Sequence, residues 1–85
     1  MKRMETYVSY VEQEEGYYKQ LETLEQCQHA VIDSIYRYGH LFDEQMTEEV
    51  LLSIHRLEDS IRLDLLHVRL TKAFQAYHMD KTTGE

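Results

Sequence analysis

Apolar residues recur along this chain at alternating steps of three and four, a spacing that admits little besides paired α-helices. In the first half Tyr7, Tyr10, Tyr17, Leu21, Leu24, Val31, Ile35, Tyr38 and Phe42 form one row, widened on one side by Val11, Tyr18 and Ile32. Glu14 and Gln28 interrupt the row where the spacing asks for an apolar side chain. A strand would need a period of two, whereas this row is the heptad-like face of an amphipathic helix. Breakers are scarce. Proline is absent and glycine occurs at Gly16, Gly39 and Gly84 alone, so long helices are favoured.

The expected fold is all-α: one domain spanning 1–85, built as a helical hairpin of two long antiparallel helices. The boundaries read as a helix over about 4–38, a turn over about 39–46, a helix over about 47–78 and a frayed tail over 79–85. Gly39 suits a left-handed C-terminal cap on the first helix. Thr47, followed by Glu48 and Glu49, is the better start for the second, because its hydroxyl can accept from free N–H groups and the acids complement the helix dipole. Asp43 is the alternative cap. Gly16 costs a helix interior about 1 kcal/mol relative to alanine. A hinge there would split off a third, short N-terminal helix, but a continuous first helix of roughly 50 Å is the favoured reading.

The second helix carries two apolar stripes. Val50, Ile54, Leu57, Ile61, Leu65 and Val68 are expected to pack on the first helix. Leu63, Leu66, Leu70, Phe74 and Tyr77 occupy another face, which one neighbouring helix cannot also cover. Leaving them in water is costly, since burying a large aliphatic side chain is worth roughly 1.5–3 kcal/mol. The economical cover is a second copy, giving a homodimeric four-helix bundle. The segment before Gly16 folded back, or a different protein, are the alternatives. Antiparallel pairing also sets Glu5, Glu12, Glu14, Glu15, Glu22 and Glu25 against the segment holding Arg62, Arg69 and Lys72, and brings Tyr7 and Tyr10 near Phe74 and Tyr77.

Charge narrows the function. Sixteen acids against nine bases leave a net charge of −7, which disfavours direct binding to nucleic acid or to an anionic membrane. The lone Cys27 forms no intrachain disulfide. Two early bases with no apolar stretch behind them do not make a signal peptide, and no segment approaches the roughly 18 apolar residues of a membrane span. The cytoplasm is the expected location.

Chemistry-bearing constellations are thin. Glu25, His29, His55 and Asp59 fall near one another in the antiparallel register, and two histidines with two carboxylates can hold a transition metal. The histidines sit at the stripe edges, however, and Asp64-x-x-His67 occurs once, so no metal and no cofactor is expected. Cys27 and His29 point in different directions on a helix and no third group orients them. Cys27 reads as a small residue at the core margin. No phosphate loop, nucleophile elbow or zinc-protease motif is present, and no enzymatic activity is expected. Tyr7, Tyr10, Tyr17 and Tyr18 crowd one end, where tyrosine suits either a wet core margin or an interface.

These features point to a non-enzymatic, dimeric interaction module that binds and modulates a larger protein. The residues expected at its partner or dimer interface are Leu63, Leu66, Leu70, Phe74, Tyr77, Tyr7, Tyr10 and Tyr17. In architecture alone the chain resembles small helical-hairpin regulators, and fold does not license function. The alternative is an acidic inhibitor that imitates nucleic acid, motivated by the acids in residues 5–25 and 43–59. Direct RNA binding and metal storage rank lower.

Overall fold

The computed structural model describes the backbone of residues 2–83 and the side chains of residues 6–80. Helix α1 (Lys2–Tyr38) runs into a single 3-10 turn (Gly39–Leu41), and helix α2 (Glu44–Thr83) returns antiparallel along it. The result is a rod of 67 × 16 × 16 Å. That length follows from α2, whose 40 residues at 1.5 Å each span about 60 Å. Among the described residues no helix is long and apolar enough to cross a membrane.

Gly16 is not a hinge. Helix α1 passes through it unbroken, so there is no separate third helix. The turn is shorter than expected and is made differently. Tyr38 leaves helical geometry (φ −135°, ψ 30°) and the Phe42 N–H closes the 3-10 turn on the Gly39 carbonyl at 3.1 Å. Gly39 does not take positive φ, so it is not the left-handed cap the sequence suggests. A methyl group there would meet only Ile35 Cγ2, at 3.7 Å.

Helix α2 begins at Glu44 rather than at residue 47, because Asp43 wins the competition to cap it. The Asp43 side chain accepts from the Met46 N–H at 2.9 Å, satisfying one of the free donors of the first turn. Thr47 then lies one turn inside, its N–H and its hydroxyl both donating to the Asp43 carbonyl, at 3.0 and 2.7 Å. At the other end the helix continues through residues 79–83, where a frayed tail was expected. Gly84 and Glu85, the rest of that tail, lie outside the described residues.

The seam between the helices keeps strict three–four alternation. On α1 it comprises Tyr7, Tyr10, Glu14, Tyr17, Leu21, Leu24, Gln28, Val31 and Ile35; on α2 it comprises Thr47, Leu51, Ile54, Glu58, Ile61, Leu65, Val68, Lys72, Gln75 and Met79. The inner stripe expected of α2 therefore needs correcting. Val50 and Leu57 are exposed, and Leu51 and Glu58 take their places. The reason is phase. The row 54, 57, 61, 65 contains two consecutive steps of four and drifts around the helix, whereas 51, 54, 58, 61, 65, 68 keeps the average of 3.5 that a straight two-helix seam needs. Continuity of register outweighs the apolarity of one leucine.

The core is correspondingly thin. Ile54, Leu65 and Val68 are its buried apolar members, Glu58 is buried among them, and none of the described side chains is completely enclosed. The Glu58 carboxylate has the Arg62 guanidinium at 3.9 Å, one turn along.

Candidate docking surfaces

The interruption at Glu14 is resolved by an ion pair across the seam. The Lys72 ammonium donates to the Glu14 carboxylate, and Arg69 Nε approaches its other oxygen at 3.9 Å. The Glu14 hydrogen bond holds the Lys72 ammonium above its ordinary value, against the opposing effect of partial burial, with the nearby Tyr7 and Tyr18 adding to the rise. Among the described residues Glu14 is the one α1 acid that pairs with the bases of α2. Glu12, Glu15, Glu22 and Glu25 do not, and Arg62 is held within its own helix by Glu58 and Asp59. Of the α1 acids expected there, Glu5 has its side chain outside the described residues.

The second apolar row of α2 lies on the opposite side of the helix from this seam. With 3.6 residues per turn, Leu63, Leu66, Leu70, Phe74 and Tyr77 centre roughly 180° from Ile61, Leu65, Val68 and Lys72. All five are more than half exposed, at 54–58%. His78 stacks on Phe74 (ring centroids 6.4 Å apart) and meets Tyr77 edge-on at 5.5 Å, so the far end of the row is an aromatic cluster. An open furrow of about 570 Å³ runs from Leu70 and Phe74 round to Gln75 and Met79. Arg62 and Arg69 border the row, and both are engaged: Arg62 with Glu58 and Asp59, Arg69 with Glu14.

The tyrosines lie elsewhere. Tyr7, Tyr10 and Tyr17 are half-buried in the α1 seam, while Tyr18 faces outward. They belong to the seam, whereas the outer row centres on the opposite side of α2, so the residues expected at an interface fall into two groups. Alanine at Tyr10 or Tyr17 would be felt first in the packing of the two helices.

The histidine–carboxylate constellation does not assemble. His55 Nε2 meets Asp59 at 3.3 Å on the surface, and among the described residues no three His, Cys, Asp or Glu side chains come together to hold a metal ion. Cys27 is exposed rather than at the core margin. It lines a shallow depression with Lys19, Glu22, Thr23, Gln26 and Ala30.

One surface has no counterpart in the sequence reading. Tyr36, Tyr38, Leu41, Phe42, Met46, Val50 and Leu52 are all exposed around the turn, Leu41 by 73%. Beside them Ile35, Phe42, Leu51 and Leu52 line an open groove of about 610 Å³ with Glu44, Glu48 and His55. A signal was present: between Arg37 and Arg56 the chain has four acids, Asp43, Glu44, Glu48 and Glu49, and no lysine or arginine. Comparison with protein-family models, with curated protein sequences and with solved structures returns no match.

Proposed function

We propose that the hairpin is a non-enzymatic interaction module that pairs with a second copy through the outer row of α2 and, so assembled, binds and modulates a larger protein. The observation that carries the reading is the row itself: Leu63, Leu66, Leu70, Phe74 and Tyr77, half-exposed and aligned on the side of α2 that α1 does not reach. Surface area supports it. The chain exposes 7050 Å², against about 5,300 Å² for a compact protein of its mass. The excess exceeds the roughly 800 Å² that each partner buries in a standard interface.

Placement of the row shapes the assembly. Because it lies opposite the seam, two hairpins joined through it have their α2 helices inside and their α1 helices outermost, four helices in a layer. Two rows supply ten half-exposed side chains, on the order of 10 kcal/mol of apolar burial, most of which the cost of association offsets. The expected dimer is therefore of micromolar strength or weaker and responds to concentration. Imitation of nucleic acid draws less support. Lys19 interrupts the acids of α1, and Glu14, Glu58 and Asp59 are occupied by Lys72 and Arg62.

Sedimentation equilibrium over a wide concentration range tests the pairing. The expected result is a mass rising from one chain toward two, with Phe74→Glu held at one chain. A wild-type mass that stays at one chain throughout would sink the dimer. For the larger partner, capture from a lysate that survives Phe74→Glu unchanged would remove the row from the proposal.

A further inference from the structure

The turn end of the rod carries a second apolar surface, remote from the outer row and different from it in charge. Its groove has Ile35, Phe42, Leu51 and Leu52 along its length and Glu44 and Glu48 on its edge. The two carboxylates are one helical turn apart, so they project from the same side of α2. Neither forms an ion pair or side-chain hydrogen bond among the described residues. Asp33, Glu14, Glu58 and Asp59 are each met by Arg or Lys, whereas Glu44 and Glu48, like Glu12, Glu15, Glu22 and Glu25 on α1, are not. What sets Glu44 and Glu48 apart is the apolar groove beside them. No lysine or arginine lies between Arg37 and Arg56 to do the same here.

We propose that this groove is a docking site for a basic amphipathic helix of another protein, which seats a bulky apolar side chain between Phe42 and Leu52 and sets lysines or arginines against Glu44 and Glu48. The chemistry of the occupant follows from both halves of the surface. An apolar floor calls for an aliphatic or aromatic anchor, and unpaired acids on its edge select a cation and reject an acidic helix. The form of the occupant follows from the walls. Both are helical, so no sheet edge offers backbone hydrogen bonds to an extended peptide, and recognition falls to side chains laid along a groove. The inference shares with the proposed function only the premise that the hairpin binds other chains. It needs neither the outer row nor the dimer.

The test uses the full chain and a fluorescein-labelled synthetic helix of leucine and lysine in amphipathic spacing, followed by anisotropy. The expected result is saturable binding that weakens about tenfold or more in the double variant Glu44→Lys, Glu48→Lys. It should also weaken in Leu52→Lys, which keeps every acid. Phe74→Glu, at the other end of the rod, should leave it unchanged. Amide shifts on titration should fall within residues 35–55. The proposal is overturned if a peptide with alanine in place of leucine binds equally well, since charge alone would then hold it. It is equally overturned if the Glu44/Glu48 variant binds like the wild type, or if the shifts fall within 63–77. A loss of binding in Phe74→Glu with the groove variants intact would assign the peptide to the outer row.

Discussion

Leu65 and Leu66 are neighbours in sequence with opposite fates, 6% and 58% exposed. The contrast extends along the C-terminal half of α2. Its covered face includes Lys72 and Gln75, while its uncovered face is made of Leu63, Leu66, Leu70, Phe74 and Tyr77. Apolarity therefore does not decide which face meets α1. The turn and the 3.5-residue phase of the seam decide it, and Lys72 on that face is accommodated by its pairing with Glu14. The apolar face left over stays more than half exposed among the described residues.

The sharpest way to break this comparison is to truncate both leucines. Leu65→Ala should cost about 2–4 kcal/mol in urea unfolding at any protein concentration, because it removes a buried side chain from a core with few others. Leu66→Ala should cost no more than about 0.5 kcal/mol at high dilution, with a larger loss appearing as concentration rises. Equal losses at high dilution would mean that the two faces are not different in kind.

Asp43 probes what selects the covered face. Its carboxylate fixes where α2 starts, and Asp43→Ala should lower stability by about 1 kcal/mol through loss of the Met46 N–H acceptor. No change would show that the seam alone positions the helix start. Gly16→Ala should act in the other direction and by a similar amount, up to about 1 kcal/mol, since a methyl group there meets nothing within 4 Å. A destabilised Gly16→Ala would reveal a bend in α1.

The smallest expected effect belongs to the polar part of the seam. Lys72 has its value raised in the fold, so its stabilisation is complete below the unfolded lysine value of about 10.4 and is lost as pH rises through the elevated folded one. The unfolding midpoint should fall more steeply above pH 10 in the wild type than in Lys72→Met. Tyrosine ionisation affects both proteins, and the difference between their slopes isolates the ion pair.

Periodicity made the hairpin and the outer row legible, because both depend on where apolar residues recur and on the lack of breakers. It also carried α1 through Gly16, since one glycine costs less than the packing on either side of it supplies. The helix start was not legible. Asp43 and Thr47 are both good caps, and the choice lies in a hydrogen bond that composition does not record. Leu57 against Glu58 was lost for a related reason: either satisfies a step of three or four from Ile54, and only the whole run of the seam discriminates. Periodicity missed the turn-end groove because Ile35, Phe42, Leu51 and Leu52 come from the end of one helix, the turn and the start of the next, where no single period applies. Only the run of acids without Lys or Arg between Arg37 and Arg56 marked it.

The rod shape has a practical consequence for every measurement of assembly. The Cα radius of gyration is 19.3 Å, a value that a compact chain reaches only at about 300 residues. A gel-filtration column calibrated with spherical standards will therefore elute the single 85-residue chain well ahead of its mass. Elution position alone would report an oligomer even where none forms. Only methods that weigh the particle without assuming its outline can count the chains in it.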